Sequence, residues 1–136
     1  MTSEQVKLVR QSFKTLRDGS ERTVALFYGC LFDLNPGLED LFSRDVSKKG
    51  EHLISVLSFA VGNLDQSERL TSAVEAMRLR LEDYRFDDFD YRTISQALIW
   101  TLGRTLGPSF TPEVRSAWTA AYNLFSGLLR GTCIAA

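Results

Sequence analysis

The chain has 136 residues, of which 44% are hydrophobic, and its 16 basic residues nearly balance its 17 acidic ones. This length and composition predict a single domain, residues 1–136, that buries a core without disulfides or metals. The near-neutral charge without a basic stripe argues against nucleic-acid binding, and the absence of a signal segment or of an apolar run of roughly 20 residues predicts a cytoplasmic protein without membrane contact.

Apolar residues recur at three- and four-residue spacing along the chain, which predicts an all-helical fold. The first helix is expected to begin after Thr2, which forms a capping-box pattern with Gln5, and to end at Asp18-Gly19. The second is expected to end at Asn35-Pro36-Gly37. The stripes of these two helices are Val6, Val9, Phe13 and Leu16, then Val24, Phe27, Leu31 and Leu34.

Similar patterns predict the later helices. Ser47 is expected to cap a helix that carries Leu53 and Leu57, and Asp87 or Asp88 to cap a long helix that runs towards Gly107-Pro108. Thr111-Pro112 has the pattern of a cap followed by the first residue of the last helix. A helix between these carries Leu70, Ala73, Val74, Met77 and Leu81.

Seven segments together carry a resemblance to a known family. They are Phe27–Pro36, Leu41-Phe42, Gly50–Leu53, Phe59–Asp65, Ala97–Leu102, Leu106–Arg115 and Ala117-Trp118. These segments resemble the single-domain bacterial haemoglobins of the globin family, and the resemblance covers essentially the whole chain. It implies an all-α globin fold, a three-on-three helical sandwich of about six to eight helices.

The resemblance also shows one departure from the family pattern. In that family the sixth helix ends in two arginines, the histidine that binds the haem iron and, three residues later, a tyrosine. Here Arg80 and Tyr84 match this pattern, which places Leu81 at the ligand position. An aliphatic side chain cannot coordinate iron, and iron in a helical pocket usually needs an imidazole, thiolate or thioether ligand.

The chain contains a single histidine, His52. The resemblance places it on the opposite, distal helix, one turn beyond Lys49, which takes the position of the distal polar residue. If haem is bound, His52 is the leading substitute ligand, because iron in proteins is commonly held by imidazole. The other candidates are Lys49 if deprotonated, Met77, which lies four residues before Leu81 and is a weak anchor, and Tyr84, which would have to turn inward.

Tyr28 and Phe42 occupy positions where the family commonly has a tyrosine hydroxyl that points at the bound gas and a phenylalanine that packs on the porphyrin. Without the family, ordinary core packing is the favoured explanation for both residues, because buried aromatic side chains are far commoner than cofactor contacts. The full set of pocket positions that the resemblance implies is Tyr28, Phe42, Lys49, His52, Leu53, Met77 and Leu81.

A run of acidic residues follows the ligand position. The nine residues from 82 to 90 contain one basic residue, Arg85, and five acidic ones: Glu82, Asp83, Asp87, Asp88 and Asp90. Acids at the start of the next helix complement its dipole, which is a sufficient structural reason for them. In globins this corner also lies near the haem propionates, which added carboxylates would repel.

These features give three hypotheses. The first is a globin-like protein that is not an enzyme, needs no cofactor and serves as a haem-free binding or regulatory module, with a small apolar ligand or a protein partner. The second is a haem protein that binds or transforms oxygen or nitric oxide through an unusual ligand such as His52. The third is a subunit, for example of a homodimer, that associates through its last two helices. Hydrolytic and phosphoryl-transfer chemistry has no candidate residues.

Overall fold

The computed structural model describes residues 1–80 and 87–131, without the side chains of residues 67, 76–80 and 129–131. The described residues form seven α-helices, which confirms the all-α prediction. These are α1 (Ser3–Asp18), α2 (Ser20–Leu34), α3 (Glu39–Ser47), α4 (Glu51–Gly62), α5 (Ser67–Arg80), α6 (Asp88–Leu106) and α7 (Pro112–Gly131). Short 3-10 helices at Pro36–Leu38 and Gly107–Ser109 lead into α3 and follow α6.

Three helices begin where their caps were predicted. Thr2 and Gln5 form the expected capping box at α1. Asp87 caps α6 in a reciprocal pair of hydrogen bonds with Asp90, and the Thr111 hydroxyl accepts the Val114 N–H at the start of α7. Each side-chain oxygen satisfies a backbone donor that has no partner within the helix.

The predicted cap of α4 is wrong. Ser47 is the last residue of α3, and its hydroxyl donates to the Ser43 carbonyl one turn back. The helix that contains Leu53 instead begins at Glu51, after Gly50, which adopts a left-handed conformation with φ of 74°. The difference arises because α3 continues through the position that the sequence pattern assigned to a cap.

The core consists of two clusters. The first joins α1, α4, α6 and α7 around Phe13, Leu16, Leu102 and Trp118. The second joins α2 to α3, α4 and α6, and Leu98 of α6 packs against both. The principal helix pairs are α1 with α7 and α2 with α6, and α5 lies against α7.

Within the described ranges, no helix combines the length and the apolar character needed to cross a bilayer.

Candidate ligand pocket

Tyr28 lies at the centre of an aromatic group on the inner side of α2. Its ring is 5.4 Å from the ring of Phe27, 5.5 Å from that of Phe32 and 5.6 Å from that of Phe42, measured between centroids. Leu53 of α4 packs against the same cluster. Three of the predicted pocket residues, Tyr28, Phe42 and Leu53, therefore lie together.

The Tyr28 hydroxyl has a partner that the sequence did not indicate. It donates a hydrogen bond of 2.6 Å to the Oδ2 atom of Asp45, a buried residue near the end of α3. The other acceptor positions of this carboxylate face α4, because the backbone N–H of His52 donates to Oδ1 at 2.8 Å and that of Leu53 donates to Oδ2 at 3.1 Å. Asp45 thus joins α2, α3 and α4.

Asp45 acts as the N-terminal cap of α4, although it lies in the preceding helix and not at the residue directly before α4. The residue before α4 is Gly50, which has no side-chain oxygen to offer, so the N–H groups of the first turn would otherwise lack an acceptor. A carboxylate at the N-terminus of a helix is also favoured by the helix dipole. The Gly50 N–H donates to the Asp45 carbonyl at 2.8 Å and fixes the turn that brings the carboxylate there.

The environment of Tyr28 raises the pKa of its phenol far above the ordinary value. Burial, which disfavours the phenolate, is the largest cause, and the hydrogen bond to Asp45 and the negative charge of that residue act in the same direction. Tyr28 therefore remains a protonated donor, and its proton is directed to Asp45.

The two distal candidates lie at the surface. Lys49 precedes α4 in a turn with a positive φ of 59°, and its largely exposed ammonium is 3.5 Å from the Glu21 carboxylate. His52 is exposed in the first turn of α4. Lys49 lines an open surface pocket together with Tyr28 and Phe32, and His52 is not among the residues that line this pocket.

Gly50 allows α4 to approach α2 closely. A Cβ atom on this residue would collide with the side chain of Val24 in α2. Its positive φ also belongs to the region that L-residues with side chains avoid. Both constraints select glycine where the chain turns into α4.

The proximal side of the predicted pocket is only partly described. Met77 lies in α5, but its side chain is not described. Leu81, the neighbouring acidic residues Glu82 and Asp83, and Tyr84 lie outside the described residues. The assignment of Leu81 to the ligand position therefore stays a prediction.

A small apolar cavity of about 70 Å³, partly open to the surface, lies between α4, α6 and α7. It is lined by Val56, Leu57, Ala60, Val61, Leu64, Leu98, Trp118, Ala121, Tyr122 and Phe125. In the part of the chain that the structure describes, no three His, Cys, Asp or Glu side chains are grouped so that they could hold a metal ion.

A model of the globin family matches residues 25–129, most of the chain. The chain belongs to the globin family. Its all-α arrangement is accordingly the globin fold, and the fold prediction made from the sequence is confirmed.

Relatives of this globin include both long and short proteins. It is 26% identical over 125 residues to the flavohemoprotein of Vibrio cholerae, a match that covers 90% of this chain and 32% of that protein. It is 28% identical over 142 residues to the hemoglobin subunit alpha-D of Meleagris gallopavo, and covers 96% of it. The chain thus spans about a third of the length of the flavohemoprotein it matches.

Among solved structures, the closed form of the globin domain of HGbRL is 30% identical to this globin. The match covers 95% of this chain and 94% of that one, with a TM-score of 0.42.

Asp45 is the residue of this globin's pocket that the sequence analysis missed. The signal that points to it is indirect: α4 starts after a glycine and has no side-chain cap of its own. The missing acceptor is the short acidic side chain seven residues before His52. Sequence patterns for caps are written for adjacent residues, so a cap from the preceding helix escapes them.

Proposed function

We propose that this globin does not hold haem through a proximal histidine and that it serves as a haem-free binding or regulatory module. The observation that carries the proposal is that the chain has one histidine, His52, whose side chain is exposed in the first turn of α4. The family resemblance gives the proximal position to Leu81. The residues available do not fit the usual imidazole attachment of haem.

The hydrogen bonding of Tyr28 supports the same proposal. A distal tyrosine assists a bound gas by donating its hydroxyl proton to it, whereas here the hydroxyl donates to Asp45 at 2.6 Å. Asp45 is also the acceptor for two backbone groups of α4, so releasing the tyrosine would disturb a buried and otherwise satisfied carboxylate. Tyr28 is better explained as a structural donor than as a gas-binding group.

The haem-binding alternative has specific support of its own. Tyr28 and Phe42 lie in ring contact, as they would in an intact haem pocket, and Leu53 packs against the same cluster. In this alternative the protein binds or transforms oxygen or nitric oxide through a substitute ligand. His52 would have to turn inward from its exposed position to supply the imidazole.

Titration of haem into the purified chain, followed by its absorption spectrum, separates the two functions. We expect no sharp Soret band and no stoichiometric end point, because no imidazole is available on the proximal side. Saturable one-to-one binding with a low-spin spectrum would contradict the proposal. If that binding disappeared in His52→Ala and persisted in Met77→Leu, the haem-binding alternative with His52 as ligand would replace it.

The apolar cavity suggests what a haem-free form of this globin binds. An enclosed apolar cavity of about 150 Å³ admits benzene or xenon, and the apolar pocket of this globin is smaller and partly open to the surface. A cavity of about 70 Å³ therefore suits a smaller apolar molecule or a single xenon atom. Chemical-shift changes of dissolved xenon on addition of the protein would report occupancy. Ala60→Ile should fill the cavity and abolish them, and unchanged shifts in that variant would show that xenon binds elsewhere.

A further inference from the structure

The outward face of α6 carries two exposed aromatic side chains. Phe89 is 49% exposed and Trp100 is 41% exposed, and they lie eleven residues apart. Eleven residues make just over three full turns of an α-helix, so both rings lie on the same side. Arg92 and Gln96, between them on this face, are also exposed. The face therefore presents two aromatic side chains that are separated by polar ones.

The residues of this face are arranged symmetrically about Gln96. Phe89 and Gly103 lie seven residues before and after it, and Arg92 and Trp100 lie four residues before and after it. When two identical helices pack antiparallel about a two-fold axis, residues at equal distances on either side of the centre meet across the interface. A two-fold axis at Gln96 therefore brings together the two members of each pair.

The same centre pairs opposite charges at the edges of the face. Asp88 and Arg104 are exposed residues eight positions before and after Gln96. Each carboxylate of one copy would meet a guanidinium of the other, so the interface contains this ion pair twice. The Arg104 guanidinium already lies 5.1 Å from the ring centroid of its own Trp100. That contact holds it beside the helix.

The inner pairs are complementary in shape and chemistry. Arg92 of one copy meets Trp100 of the other, which permits a cation–π contact. Phe89 of one copy meets Gly103 of the other, a half-buried position beside the ring of Phe110. Three independent pairs thus share one centre.

We propose that two copies of this globin associate through α6, antiparallel, with the two-fold axis at Gln96. The occupant of the face is a second copy, because an antiparallel second copy brings Asp88 opposite Arg104 and Arg92 opposite Trp100. The interface involves one helix from each copy. Its buried area is therefore at the lower end of the range for specific interfaces, which bury about 1,200–2,000 Å² in total. The dimer is therefore weak, and its population depends on protein concentration.

Exchange of the charges tests this proposal. We expect sedimentation equilibrium of the wild type to show a monomer–dimer equilibrium. In Asp88→Arg two arginines oppose each other at both edges, and in Arg104→Asp two aspartates do. Each variant should dissociate about 100-fold more readily, since like charges in contact cost several kcal/mol. Arg115→Asp, an equal charge change at an exposed position of α7, should behave as the wild type.

Two recovery experiments make the test specific. An equimolar mixture of Asp88→Arg and Arg104→Asp should form heterodimers, because each arginine then meets an aspartate. The double variant carrying both changes should recover the homodimer. Circular dichroism of each variant checks that the helices are intact.

The proposal is overturned by a wild type that stays monomeric at every concentration, or by a dimer that both single variants leave unchanged. It is equally overturned if the single variants are folded and monomeric but neither the mixture nor the double variant recovers association.

Discussion

Tyr28 and Asp45 form a buried pair in which the phenol of α2 donates to a carboxylate of α3 at 2.6 Å. Because the same carboxylate accepts the N–H groups of His52 and Leu53, it holds the start of α4 against α2 and α3. The position that resembles a gas-binding tyrosine is in this way tied to the architecture of the distal side. The free energies of unfolding of variants at the two positions can distinguish the contribution of Tyr28 from that of Asp45.

Removal of the Asp45 carboxylate should cost more than removal of the tyrosine hydroxyl. Asp45→Ala leaves one buried hydroxyl and two backbone N–H groups without their acceptor, and we expect a loss of about 3 kcal/mol. Tyr28→Phe leaves the carboxylate bonded to α4 and should cost about 1 kcal/mol. Urea unfolding of both variants and of the double variant measures the coupling. Equal losses in the two single variants would contradict the capping role of Asp45.

The raised pKa of Tyr28 predicts a loss of stability in alkali. In the unfolded chain the phenol ionises near its ordinary pKa of about 10, whereas in the folded protein it keeps its proton to higher pH. Below pH 10 both states are protonated and this contribution is constant. As the pH rises above 10 the unfolded state alone loses the proton, so stability falls by about 1.4 kcal/mol per pH unit.

Comparison with Tyr28→Phe isolates this residue from the other tyrosines. The variant cannot release the proton at position 28, so its free energy of unfolding should decline less steeply than that of the wild type between pH 10 and 11.5. Parallel curves for the two proteins would show that the phenol of Tyr28 is not held protonated by the fold.

Gly50 should tolerate no side chain. Gly50→Ala imposes a positive φ on an L-residue and drives its Cβ into Val24, and we expect a loss of about 3 kcal/mol. Gly62→Ala is the matched control at the other end of α4, where a Cβ meets open space, and it should be neutral or stabilising by about 0.5 kcal/mol. Thermal unfolding of both variants checks the contrast, which would fail if the two substitutions had similar effects.

The sequence predicted the helices better than the corner between α3 and α4. Stripes at helical spacing and adjacent caps such as Asp87 depend on residues close in the chain, which a pattern can detect. Asp45 accepts hydrogen bonds from α4 across a tight turn. This capping role depends on the tertiary structure, because it requires Gly50 to pack that turn against Val24. The local pattern favoured Ser47 because it contains no information about how far α3 continues.

The pocket was predictable to a similar extent. The family resemblance assigned Tyr28, Phe42 and Leu53 to one pocket, and these apolar or aromatic residues lie in one hydrophobic cluster. The exposed positions of Lys49 and His52 follow from the start of α4 at Glu51, a boundary the sequence placed too early.

The last prediction concerns the proximal position. If Leu81 occupies it, Leu81→His supplies an imidazole there and should create measurable haem affinity that the wild type lacks, because one strong axial ligand anchors the cofactor. The carboxylates that follow oppose this by repelling the haem propionates. Neutralising two of them, in a variant that adds Glu82→Gln and Asp83→Asn, should therefore raise the affinity further. Haem titrations of the wild type and both variants measure the effect.

His52→Ala in the same background is the control and should leave the gained affinity intact. Failure of both variants to bind haem while folded would mean that side chains fill the space, and that Tyr28 and Phe42 act only in packing.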